Sequence, residues 1–135
     1  MFVFHHISLS VTNMDRSIVF YNALGFKDVL RWNADDGTLE ISHLKLNGFY
    51  LELFCYADPE PAPDSMNMLE TDLKVVGTRH FGLRVQSIDE ARSLFIENGI
   101  AKTIEITKGK TGIDYFFIKD PDGIFIEIVQ DDRNL

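Results

Sequence analysis

The second half of this chain repeats the first. Residues 6–26, HISLSVTNMDRSIVFYNALGF, align with residues 80–100, HFGLRVQSIDEARSLFIENGI, at a constant offset of 74 with no gap. His6 matches His80, Leu9 matches Leu83, Val11 matches Val85, Asp15 matches Asp89, Phe20 matches Leu94 and Gly25 matches Gly99. The ends of the two copies agree as well: Tyr50-Leu51-Glu52-Leu53-Phe54 resembles Phe125-Ile126-Glu127-Ile128-Val129 at an offset of 75. A duplication of this kind means that one small unit of strands and helix is used twice, and that each copy needs a partner to hide its apolar face.

Each copy reads as β-α-β-β-β. Alternating residues predict an opening strand over 4–11 and 79–85. A helix follows over 14–24 and 88–98, capped by Asn13 or Thr12 in the first copy and by Ser87 in the second. Gly25 and Gly99 stand just past the helix ends, where a left-handed residue is wanted. Three further strands fit near 26–33, 39–46 and 49–56, and near 101–107, 113–119 and 124–130. Asn47-Gly48 and Asp122-Gly123 read as two-residue hairpin turns. Between the copies, Pro59, Pro61 and Pro63 argue against a strand or helix interior, with room for a short helical piece within Met66 to Val76. The expected organisation is one domain over 1–135, with module one at 1–57, a linker at 58–77 and module two at 78–135. The fold class is α+β: two tandem βαβββ modules forming a curved mixed sheet around a cleft.

Composition narrows the function. The chain is 45% hydrophobic with 11 Phe, enough apolar material for a core without a structural metal or disulfides. The formal net charge is -8, and no Lys/Arg cluster offsets it, so nucleic-acid phosphates and anionic membrane surfaces are repelled. A single cysteine, Cys55, forbids an intramolecular disulfide and reads as a small buried hydrophobe. The N-terminal MFVFHHISLS lacks a basic n-region and a cleavage site, and no apolar run is long enough to span a bilayer. A cytoplasmic location is expected.

The candidate site comes from side-chain direction. In the first strand Ile7, Leu9 and Val11 share the face that seats the helix, so His6 points to the other side. The same alternation puts Phe81, Leu83 and Val85 under the second helix and His80 opposite. Glu52 alternates with Leu51 and Leu53, and Glu127 with Ile126 and Ile128. A carboxylate inside so apolar a strand is costly unless it is paired or bound to a cation. Each copy thus offers one His and one Glu at equivalent positions, and pseudo-twofold packing can bring His6, Glu52, His80 and Glu127 to one divalent ion. Two imidazoles and two carboxylates suit Ni, Zn, Co, Mn or Fe(II), with coordination positions left for water or substrate. His5 and His43 have no counterpart in the repeat. His5 is expected to face away from His6, and both read as structural or surface residues, His43 at most part of a pocket wall. Tyr50, Phe54, Tyr115, Phe117 and Trp32 are candidates for the pocket lining. Lys108 and Lys110, in the loop Lys108-Gly-Lys-Thr-Gly112, either hold an anionic group or are simply solvated.

These residues resemble the vicinal oxygen chelate superfamily of glyoxalase I, bleomycin-resistance proteins and extradiol dioxygenases. The resemblance rests on His6-Ile-Ser-Leu-Ser-Val11, Asp15-Arg-Ser17, Phe20-Tyr21, Leu24-Gly25-Phe26, Arg79-His80-Phe-Gly-Leu-Arg-Val85 and Lys119-Asp-Pro-Asp-Gly123 ahead of Ile126-Glu127. It implies paired βαβββ modules around a metal cleft, usually in a homodimer. Glu52 is similar to the glyoxalase I pattern of two His and two Glu. Ser10 and Tyr56 depart from it, where that family usually has an Arg and often an Asn, so the thiol cofactor need not carry over. The implied activity is a lyase or isomerase of the lactoylglutathione lyase type, working on a small molecule by proton transfer next to a metal-bound substrate oxygen. Glu127 or Glu52 would be the base. The alternatives are another metalloenzyme of the superfamily (epimerase, dioxygenase or thiol transferase) or a drug-binding resistance protein without catalysis.

Overall fold

The computed structural model describes all residues from Met1 to Leu135. The chain divides into two units, Met1–Ala62 and Pro63–Leu135. Both are α+β, and each is built on a four-stranded mixed sheet.

In the first unit the order is β1 (His6–Ser10), α1 (Met14–Ala23), β2 (Lys27–Asn33), β3 (Leu39–Leu46) and β4 (Phe49–Tyr56). The strands lie in the order β1-β4-β3-β2. β1 runs parallel to β4, and the other neighbours are antiparallel. Asn13 caps α1, its side chain accepting from the Arg16 amide at 2.9 Å. Gly25, at φ 99°, closes it. The Gly25 amide donates to the Asn22 carbonyl and the Phe26 amide to the Tyr21 carbonyl, which is the Schellman pattern. Met14, Ile18 and Tyr21 of α1 are buried with Leu44, Leu51 and Leu53 of the sheet. Each fully buried Leu contributes roughly 1.5–3 kcal/mol.

The second unit repeats the plan. It contains α2 (Leu69–Asp72), β5 (His80–Arg84), α3 (Ile88–Glu97), β6 (Thr107–Lys108), β7 (Asp114–Lys119) and β8 (Phe125–Gln130), with strand order β5-β8-β7-β6. Ser87 caps α3, and Gly99 ends it with the same pair of backbone bonds. Ile88, Ala91 and Phe95 of α3 are buried, as are Phe116, Ile118, Ile126 and Ile128 of the sheet. Asp72 is almost wholly buried, and its Oδ1 lies 3.4 Å from Arg79 Nη1, one residue before β5.

Two local expectations need correction. The strand expected over 101–107 shrinks to Thr107–Lys108, paired with Tyr115 and Asp114. Alternating polarity describes any half-buried extended segment, and residues 101–106 have no neighbouring strand to bond. Asp122-Gly123 is not a two-residue turn. The Gly123 amide donates to the Asp120 carbonyl, Gly123 has φ 85°, and Lys119 pairs with Phe125. This is a type I turn followed by a left-handed glycine bulge. The stretch between the copies carries a 3-10 turn, Asp64–Asn67, and α2 falls where a short helical piece was expected. Asn47-Gly48, by contrast, has both residues at positive φ (47° and 84°), the type I′ geometry.

Candidate metal centre

Each unit brings its His and its Glu together. In the first, β1 and β4 lie side by side in parallel, and His6 Nε2 stands 3.6 Å from Glu52 Oε2. In the second, β5 and β8 do the same, and His80 Nε2 stands 3.3 Å from Glu127 Oε2. Leu51 and Leu53 are buried under α1 while Glu52 is part-exposed on the other face. Ile126 and Ile128 are buried in the same way beside a part-exposed Glu127.

The surroundings of the two carboxylates differ. Glu52 sits between Ser8 of β1 and His43 of β3 in the strand register. Ser8 Oγ donates to Oε2 at 2.6 Å, and His43 Nε2 bonds Oε1 at 2.9 Å. The Ser8 hydroxyl above all, then the His43 contact and the nearby His6, hold the Glu52 carboxyl below the usual carboxylate range, outweighing its partial burial. Glu127 sits between Gly82 of β5 and Phe117 of β7. Neither can donate a side-chain hydrogen bond, and the polar contact of the carboxylate is with His80. Gly82 leaves space there: a Cβ at that position would lie 4.0 Å from Glu127 Oε2.

The donor chemistry fits a divalent ion of borderline hardness. Two donors bound at about 2.0–2.1 Å to one ion stand roughly 3.0–3.4 Å apart, close to the His80–Glu127 separation of 3.3 Å and slightly below the His6–Glu52 separation of 3.6 Å. His80 Nδ1 is buried without a hydrogen-bond partner, so the polar contacts of this ring lie on its Nε2 edge beside the carboxylate. Neither unit alone gathers three His, Cys, Asp or Glu side chains able to hold a metal ion.

His5 does not turn away from His6. It precedes β1, so strand alternation does not apply to it, and its Nδ1 lies 2.9 Å from His6 Nδ1 while its ring stacks on Tyr50 at 5.1 Å. His43 and Ser8 are the residues that sequence reasoning missed as partners of Glu52. The signal for His43 was present: a two-residue turn at Asn47-Gly48 places residue 43 opposite residue 52. Phe117 meets the edge of His80 at 5.0 Å, and Tyr115 meets Phe117 at 5.7 Å. Trp32, Lys108 and Lys110 are exposed. Cys55 is a half-buried thiol that forms no disulfide.

The sequence matches the family model described as Glyoxalase/Bleomycin resistance protein/Dioxygenase superfamily over residues 3–128. It is 31% identical to YwkD of Bacillus subtilis (strain 168), itself uncharacterized, over 93% of this chain and 94% of that one. It is 28% identical to Glyoxylase I 4 of Arabidopsis thaliana, over 92% of this chain and 68% of that one. The fold is similar to the crystal structure of a glyoxalase family protein from Enterococcus faecalis, with a TM-score of 0.77 and 25% identity, over 94% of this chain and 96% of that one.

Proposed function

The chain belongs to the Glyoxalase/Bleomycin resistance protein/Dioxygenase superfamily, and within it we propose a metal-dependent lyase or isomerase of the glyoxalase I type. His6, Glu52, His80 and Glu127 would hold one divalent ion (Ni, Zn, Co, Mn or Fe), a pair from each unit, with the units joined within one chain or across a homodimer. The observation that carries this reading is the duplicated His–Glu contact, 3.6 Å in one unit and 3.3 Å in the other, at matching places in the repeat. Similarity to a protein named Glyoxylase I 4 supports the same chemistry. A small-molecule substrate and a cytoplasmic location complete the proposal. The net charge of -8 argues against nucleic acid as a partner. No helix is long and apolar enough to cross a membrane.

The bound ion would supply Lewis acidity, easing negative charge on a substrate carbonyl or hydroxyl oxygen. The chain itself moves the proton. A general base needs a carboxylate free to leave its resting contacts and reach a C–H bond. Glu127 meets that need, because Gly82 and Phe117 leave it without a second donor. Glu52 is held by Ser8 and His43 as a settled anion and suits a fixed ligand. Glu127 therefore takes the proton from the carbon beside the substrate oxygen and returns it to the neighbouring atom. Phe117, edge-on to the His80 ring, and Tyr115 beside it set apolar surface next to the pair.

Metal analysis of protein purified without chelator, followed by assay on methylglyoxal–thiol adducts and acyl-CoA substrates, tests the reading. A bound divalent ion with hemithioacetal isomerisation supports it. Protein that takes up no divalent ion would be a binding module. Iron with catechol turnover would make it a dioxygenase. Glu127→Gln is expected to keep the fold and much of the metal while turnover falls by about 10²–10⁴, the usual weight of one acid–base group. Normal turnover by that variant would remove Glu127 as the base.

A further inference from the structure

We propose that His43 is a positioning residue for Glu52: by donating from Nε2–H to Oε1, it fixes the carboxylate so that Oε2 is presented beside His6 for a cation. The inference rests on the metal-site reading above and extends it to a residue outside the four ligands. An ionised carboxylate only accepts hydrogen bonds, so the 2.9 Å contact places the proton on His43 Nε2. Oε1 is thereby occupied from the β3 side. Oε2 takes the Ser8 hydroxyl from the β1 side at 2.6 Å and still lies 3.6 Å from His6 Nε2. With both oxygens engaged, the carboxylate has one settled orientation.

Cross-strand pairs also serve simply to hold sheets together. The repeat separates the two roles. At the matching place in the second unit, opposite Glu127, the residue is Phe117, and the second sheet forms the same ladder without any such bond. The fold of the unit therefore does not need a donor here. His43 is part-exposed, its side chain 31% accessible and 6.3 Å from the Tyr50 ring. The second unit holds an aromatic ring at the matching place, and His43 is itself a ring, so His43→Phe is a conservative change in shape. Partners that orient a ligand carry a measurable share of metal affinity, typically 10–100-fold.

The test is a titration of metal-free protein with cobalt(II), followed by its visible absorption and repeated with zinc(II) in competition against a chelator. Parent, His43→Phe, His43→Gln and Glu52→Gln are compared, with circular dichroism melting run on each. His43→Phe is expected to fold like the parent and to bind cobalt(II) 10–100-fold more weakly. His43→Gln, whose amide can still donate to Oε1, is expected within about threefold of the parent. A change below tenfold in His43→Phe, with Glu52→Gln clearly weakened, overturns the role of His43 and leaves the metal site standing. A His43→Gln variant as weak as His43→Phe overturns the hydrogen bond as the cause. A parent that binds neither ion overturns the metal-site reading and this inference with it.

Discussion

Ser8 and Gly82 differ by one hydroxymethyl group at the same place in the repeat, and that group changes how a glutamate is held. With Ser8 present, the Glu52 carboxyl is kept ionised to lower pH than usual. A depressed folded-state pKa lends stability that is present above the ordinary carboxylate range and is lost as pH falls through the lowered value. In chelator-treated protein, Ser8→Ala is therefore expected to move the Glu52 titration upward, read by carbon NMR of the carboxyl. It should cost about 1 kcal/mol at pH 7 in urea unfolding, with the deficit vanishing in acid below the lowered pKa. An unchanged Glu52 titration would show that the Ser8 bond does not hold the anion. The reciprocal change, Gly82→Ser, places a hydroxyl near Glu127 Oε2, where a Cβ alone would stand 4.0 Å away. It should restrain the carboxylate and lower kcat by about tenfold or more with metal content unchanged, since removing or blunting one proton-transfer group costs at least that much. Full activity in Gly82→Ser would mean that Glu127 does not need its freedom.

At the scale of the element, turns decide which side chains face each other. Asn47-Gly48 makes a two-residue hairpin, and Leu46 pairs with Phe49, so residue 43 falls opposite residue 52. That register was legible in the sequence, because both turn residues tolerate positive φ. The Asp120–Gly123 turn was less legible. A two-residue reading would set residue 118 opposite 127, whereas the glycine bulge sets Phe117 there. Asp120 builds that bulge: it is buried, and its Oδ1 accepts from the Asp122 and Ile124 amides at 2.9 Å each. Asp120→Ala leaves those donors without their partner and is expected to cost about 2 kcal/mol, measured by urea unfolding of the chain. Asp120→Asn, which keeps an acceptor oxygen, should recover most of the loss. Equal loss in both variants would place the cause in the charge rather than in the turn.

For the whole molecule, the proposed binding of one ion by both units predicts linkage between metal and folding. Binding to the folded state alone adds about 2.7 kcal/mol at a hundredfold excess over Kd, or roughly 10 °C in Tm for a chain of this size. Zinc(II) or nickel(II) added to chelated parent should raise Tm by that order, and Glu52→Gln combined with Glu127→Gln should abolish the rise. An equal rise in the double variant would put the ion elsewhere. The duplication, the βαβββ order, the capping stretch Thr12–Asn13 and the cap at Ser87, the glycine helix ends and the face carrying each His and Glu were all written in the chain. Those features follow from local periodicity and local backbone preference, which neighbouring residues settle among themselves. Tertiary structure alone decided that Ser8 and His43 both bond Glu52, that Glu127 has no such donors, that His5 meets His6, and that residues 101–106 find no strand to pair with. Each of these depends on which backbone lies alongside which, across strands distant in sequence, and a hydrogen bond exists only when both of its ends arrive at the same place.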